Sequence, residues 1–178
     1  MSSLPAASDD FVAQLAGLAP DGATAALRAF RADATRYTQA SHDALFSNDV
    51  TDLTLQERLI AAWYAALLSR ATQTAQAYRE RLLALAAADS AATHVLLDTI
   101  AQHHALPVQT IADKRLAAIL VHTEALVVNP AATGQAALSQ LQAAGLTTRA
   151  IVALSQLVAF VTYQVRVVAA LRALEANA

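Results

Sequence analysis

Apolar positions along this chain recur every three or four residues, and short polar breaks divide the runs into helices. Residues 1–8 read as a frayed tail. Ser8, Asp9 and Asp10 can cap a short helix over 11–18, which Ala19-Pro20 ends, and Asp21-Gly22 makes a turn. From 23 to 46, Leu27, Phe30, Ala34, Tyr37, Ala40/Ser41 and Ala44/Leu45 form one apolar stripe, which predicts a single helix closed by Ser47-Asn48-Asp49. Residues 1–50 therefore read as an N-terminal helical arm. It should pack on the remaining domain, 51–178, or on a neighbouring subunit.

The centre of the pattern is LTLQERLIAAWYAALLSRATQTAQAYRERLL, residues 53–83. Asp52 or Thr54 caps its first helix, and Glu57 stands in the first turn, where a carboxylate suits the helix dipole. Leu55, Leu59, Ala62/Trp63, Ala66/Leu67 and Arg70 continue one face, and a second helix is expected over 72–87. Asp89-Ser90 opens another, to about His104, before Leu106-Pro107 breaks the chain. A helix over 111–128 stops at Asn129-Pro130. Gly134 does not end the short helix that follows, whereas Gly145 fits the residue just past its end. Thr147 or Thr148 caps a last long helix to about Glu175.

Composition narrows the class. Of the 178 residues 56% are hydrophobic, many of them alanine, and four Gly and four Pro leave few breaks. Alanine leads the helix formers and β-branched residues are sparse, so the fold class is all-α, in one domain of ordinary size. A net charge of −2 with both signs scattered offers no basic patch, which argues against nucleic acid. There is no cysteine, so this chain has no disulfide, thiolate metal site or cysteine nucleophile. The first residues lack a charged segment followed by an apolar run, so a cytoplasmic location is the expectation. The most apolar stretch, 151–171, is interrupted by Gln156, Gln164 and Arg166, which are costly in hydrocarbon, so burial is expected rather than a membrane span.

Two stretches together resemble the AhpD-like/carboxymuconolactone decarboxylase family. In the second half the matching features are Asn129-Pro130, Ala144-Gly145-Leu146, Ile151, Phe160 and Arg166. In the first half, LTLQERLIAAWYAAL looks like the start of that family's catalytic helix. The resemblance covers roughly residues 50–175 and implies an AhpD-like helical domain in a dimer or a ring of dimers. The family's peroxidase members carry a Glu, a Cys-x-x-Cys and a His. A thiolate attacks the peroxide, a second thiol resolves the sulfenic acid, and Glu and His pass the protons. Placed on this sequence, the Glu falls on Leu59, the two Cys on Ala71 and Thr74, a residue between them on Gln73, and the His on Tyr78. All are replaced, and Glu57 lies about 200° around the helix from the Leu59 direction. Dithiol peroxidase activity is excluded by chemistry. Decarboxylase-type chemistry would still need an acid/base pair at Leu59 and Tyr78.

The remaining candidates divide between structure and chemistry. Gln73, Thr74 and Tyr78, with His122, could line a small-molecule pocket, since Thr74 and Tyr78 share a helix face. The favoured reading is that they are ordinary polar residues at a helix junction and subunit surface. The five histidines are His42, His94, His103, His104 and His122, and none sits in an H-x-x-x-H or E-x-x-H pattern. No metal site and no cofactor is expected. Arg70, Arg79, Glu80 and Arg81 read as a charge cluster on a solvated face or between subunits, and Arg166 needs a partner if it faces inward. Two functions follow as expectations. One is a non-peroxidase structural or regulatory oligomer, alone or with an active paralogue. The other is an enzyme or binder for a small organic molecule, in lactone or acid metabolism, using a relocated pocket.

Overall fold

The protein is described by a computed structural model covering residues 10–102 and 111–177. Among these residues all regular structure is helical. An arm of α1 (Phe11–Ala16), α2 (Ala23–Phe30) and α3 (Ala32–Leu45) precedes α4 (Leu55–Leu68) and α5 (Thr72–Ala86). Then come α6 (Ser90–Gln102), α7 (Lys114–Val128), α8 (Gln135–Ala143) and the long α9 (Thr148–Glu175). The proposed break at Leu106-Pro107 lies outside the described residues.

The bundle is built around α4. Its start is fixed by a capping box: Thr54 Oγ1 accepts from the Glu57 amide at 3.1 Å, and Glu57 Oε2 accepts from the Thr54 amide at 2.7 Å. Every residue from Arg58 to Ala66 is buried, because α5, α7 and α9 surround the helix. A helix with no polar face has to be enclosed in this way. Ala61, Ala62, Ala65 and Ala66 let the neighbours come close. Leu59, Ile60, Leu154 and Leu157 fill the spaces between them, each stabilising the fold by roughly 1.5–3 kcal/mol.

Two arginines fasten the loops around this core. Arg58 is 2% exposed and has no carboxylate partner among the described residues. Its guanidinium donates to the carbonyls of Leu45 (2.6 Å), Ser47 (2.9 Å), Val50 (3.4 Å), Leu53 (3.0 Å) and Thr54 (3.3 Å), so one buried cation holds the α3–α4 connection. Arg115 on α7 donates to Glu57 Oε1 (2.6 Å), the Asp52 carbonyl (2.8 Å) and the Gly145 carbonyl (2.7 Å), joining three segments. Asp52 does not cap α4. Its carboxylate accepts from Thr147 Oγ1 at 2.8 Å, and Thr147 in turn caps α9.

The arm departs from the sequence reading in two ways. First, α1 ends at Ala16, because Gly17 takes a left-handed conformation (φ 68°) that stops the helix two residues early. Second, the single helix expected over 23–46 is two, broken at Arg31 (φ −103°, ψ 51°). Each piece has its own anchor. Arg28 on α2 grips Asp10, with Nη2 2.9 Å from Oδ1, and Thr38 on α3 meets the Tyr163 hydroxyl of α9 at 3.1 Å. The apolar stripe also faces outward: Leu27, Phe30 and Tyr37 are exposed, while Thr24, Thr35, Thr38 and His42 are buried. A small second core of Val12, Leu15, Ala16 and Val168 seats α1 on α9. By length and composition α9 could cross a membrane, but half of its most apolar window is buried in the bundle.

Candidate functional site

The positions singled out in the sequence do not converge on an opening. Leu59 on α4 and Thr74 and Tyr78 on α5 are buried, whereas Gln73 on the opposite face of α5 is exposed. Ala71 is the N-cap residue of α5 and offers no side-chain oxygen to the first-turn amides. His122, on α7, is elsewhere in the core.

Tyr78 is held from several sides. Its ring stacks on Phe46 with centroids 5.5 Å apart and meets Phe11 edge-on at 5.9 Å. Its hydroxyl donates to Gln164 Oε1 at 2.7 Å, and Gln164, fully buried on α9, leaves its amide nitrogen without a partner. Burial raises the phenol pKa well above the usual tyrosine range, outweighing the lowering effects of Arg81 and of the Gln164 hydrogen bond. A neutral phenol sealed in the core, facing an amide, has no route to exchange protons with a substrate. Leu59 supplies no acid or base either. The two acid/base positions of the resemblance are thus filled by packing.

Beside Tyr78 lies a polar group in an aromatic setting. The Arg81 guanidinium stands over the Phe46 ring at 4.7 Å and over the Phe11 ring at 5.6 Å. It donates to His42 Nε2 at 2.9 Å. Nε2 must then be the acceptor, so Nδ1 carries the proton and donates to Asp43 Oδ1 at 3.1 Å. His42 pKa is lowered chiefly by burial. The hydrogen bond that His42 donates to Asp43 acts against this, Arg81 adds to it, and the Asp43 charge opposes it. This arrangement fastens the arm to α5.

The other predicted groups have separate partners. His122 Nε2 meets Ser155 Oγ at 3.3 Å, and its Nδ1 is buried without one. Ser155 already donates to the Ile151 carbonyl at 2.9 Å, so the pair is not an activated nucleophile, and no carboxylate orients the ring. Arg79 pairs with Asp98 at 2.9 Å and reaches His94 at 3.0 Å, and Glu80 accepts from Gln76 at 2.8 Å, so the expected charge cluster is dispersed. Glu124 accepts from the Tyr64 hydroxyl at 3.0 Å. His103 and His104 lie outside the described residues. Among the described residues, no three His, Asp or Glu side chains are grouped so as to hold a metal ion.

Sequence reasoning missed Gln164 as a core partner and Arg58 as a clamp. Gln164 carried a signal, a lone amide in an apolar run. Arg58 carried none that separates it from a solvated arginine. The cavities lie away from Tyr78. One, of about 470 Å³, opens between the C-terminal ends of α4 and α7 and the middle of α9, and Ala71 is on its wall. Another, of about 550 Å³, lies among α4, α6 and the start of α7. There Glu57 is tied to Arg115, and Asp113 caps α7. A shallow groove between α3 and α9 is lined by Tyr37, Phe160 and Tyr163. No family model, curated protein or solved structure matches this chain.

Proposed function

We propose that this chain is a cysteine-less protein of the AhpD-like/carboxymuconolactone decarboxylase type that has lost the dithiol chemistry and serves as a structural or regulatory oligomer. It assembles as a dimer or a ring of dimers, alone or with an active paralogue. The observation that carries this reading is the packing at the former acid/base positions: Leu59 and Tyr78 are 1% and 0% exposed. Side chains that fill a site stabilise it and leave no room for a substrate. The resemblance stated above supplies the assembly, and exposed apolar side chains on the arm support it. Leu27, Phe30 and Tyr37 on the arm are 62%, 86% and 62% exposed, and Tyr163 of α9 lies beside Tyr37 at the groove. Large apolar side chains left this exposed are available for contacts between chains.

The test joins two measurements on the purified full chain. Turnover of an organic hydroperoxide with a dithiol reductant should not exceed that of the buffer. Phe30→Ser combined with Tyr37→Ser should lower the assembly mass measured by light scattering while the helical circular dichroism is kept. Enzymatic peroxide turnover, or an assembly mass that the double variant leaves unchanged, would refute the reading.

A further inference from the structure

A second site rests on different residues and holds whether or not the chain self-associates. The 470 Å³ cavity is within the range of small-molecule pockets. Its floor is apolar, made by Leu68 at the end of α4, Val127 at the end of α7 and Val165 on α9, with the exposed Val128 and Ala169 beside them. Two guanidiniums stand on its walls, those of Arg70 and Arg166, and no carboxylate lines it. The hydroxyls of Ser69 and Thr162 are also on the wall, but each proton is already given to a carbonyl of its own helix, Ala65 at 2.8 Å and Ala159 at 2.9 Å. The free donors of the cavity are therefore the two arginines.

These two arginines are exposed, whereas the arginines packed around the core are buried or half-buried. Arg28, Arg79 and Arg115 each hold a carboxylate, Arg58 holds backbone carbonyls, and Arg81 holds His42. The guanidiniums of Arg70 and Arg166, like those of the exposed Arg31, Arg149 and Arg172, make no ion pair or hydrogen bond among the described residues. Arg166 is exposed and so needs no buried partner, and Glu57 and Glu124 are taken by Arg115 and Tyr64. Arg70 also has a left-handed backbone (φ 57°), a conformation in which glycine would sit without strain. The turn that closes α4 thus carries a long cationic side chain at a position whose backbone does not favour one.

We infer that the cavity between α4, α7 and α9 binds a small organic carboxylate, with Arg70 and Arg166 gripping the acid and the floor of Leu68, Val127 and Val165 covering its hydrocarbon body. The planar fork of a guanidinium matches a carboxylate in two parallel hydrogen bonds. Two forks on one cavity accommodate either both oxygens of one acid from two sides or the two ends of a short dicarboxylate. The apolar floor selects against a bare inorganic anion, which has nothing to place there.

Isothermal titration of the full chain at low ionic strength tests this with adipate and hexanoate as probes, and with hexylamine and inorganic phosphate as controls. At least one of the two acids should bind saturably at concentrations below about 10 mM and raise the melting temperature, and both controls should bind more weakly. Arg166→Gln and Arg70→Gly should each weaken binding about tenfold or more. Arg70→Gly also relieves the left-handed backbone, so its melting temperature without ligand should be at or above that of the parent chain, which separates lost binding from lost fold. The inference is overturned if neither acid binds in that range. It is equally overturned if binding survives both substitutions unchanged, or if phosphate or hexylamine binds as tightly as the acids.

Discussion

Removing the Tyr78 hydroxyl asks directly whether that residue is structure or chemistry. The hydroxyl is buried and donates at 2.7 Å to Gln164, whose amide nitrogen is already unpaired. Tyr78→Phe deletes one hydrogen bond and leaves a whole buried amide without a partner, at a cost of about 1–3 kcal/mol. Gln164→Met removes the unpaired amide but orphans the phenol, and the two effects, each of about 1–3 kcal/mol, roughly cancel. The double variant removes both polar groups and keeps the volume nearly constant, so it should be as stable as the parent or slightly more so. The double-mutant cycle then shows a coupling of about 2 kcal/mol, with the double variant more stable than the sum of the singles predicts. For a chain of this size, roughly 2–4 °C of melting temperature corresponds to each kcal/mol. Urea unfolding followed by circular dichroism gives the four stabilities. Tyr78→Phe with unchanged stability, or additive effects, would refute the claim that this pair is a packed structural contact.

Three further outcomes follow from the same geometry. Arg58→Met leaves several buried carbonyls without a donor and should cost about 3–5 kcal/mol in urea unfolding, with Arg58→Lys intermediate because a lysine cannot reproduce the fork; a change below about 1 kcal/mol for Arg58→Met would contradict the clamp. Burial lowers the pKa of both His42 and His122 below the ordinary value of 6.5, so below that pH the unfolded chain binds more protons than the folded one. Their contribution is complete above the unfolded value and is lost as pH falls through it towards the lowered folded values. Melting temperatures measured from pH 8 down to about pH 5.5 should fall, and the His42→Gln, His122→Gln double variant should flatten that limb. Thr54→Ala opens the capping box on the central helix and should cost about 1 kcal/mol in the same unfolding assay, whereas Asp52→Ala should leave the α4 cap intact.

Helix positions were legible in this sequence wherever the cause was local. Thr54, Glu57 and Thr147 announce helix starts by the chemistry of their own side chains, and Gly145, at φ 86°, ends α8 as its position suggested. The interior of α4 was legible as well, since a stretch with no polar face has few alternatives to burial. What the pattern could not give was set by contacts distant in sequence. Nothing near Arg31 marks a helix break; the anchors that turn the two pieces are Asp10 and Tyr163, far away in the chain. The periodicity of Leu27, Phe30 and Tyr37 predicts one buried face, but the break at Arg31 divides it between α2 and α3, and periodicity does not show which way either face points. The candidate site shows the same limit. Thr74 and Tyr78 share a buried face of α5, as their spacing implied. That the face meets Phe46 and Gln164 instead of a cavity depends on α9 and the α3–α4 connection. Arg70 and Arg166, almost a hundred positions apart, share a cavity only because α4 and α9 pack together.

The measurement that most directly tests the proposed role is the mass of the intact assembly, by native mass spectrometry of the full chain over a range of concentrations. Dimers or multiples of dimers of the 18.6 kDa chain, persisting on dilution, are the predicted result. A single species at 18.6 kDa at every concentration would contradict it, leaving Leu27, Phe30 and Tyr37 exposed in the working protein.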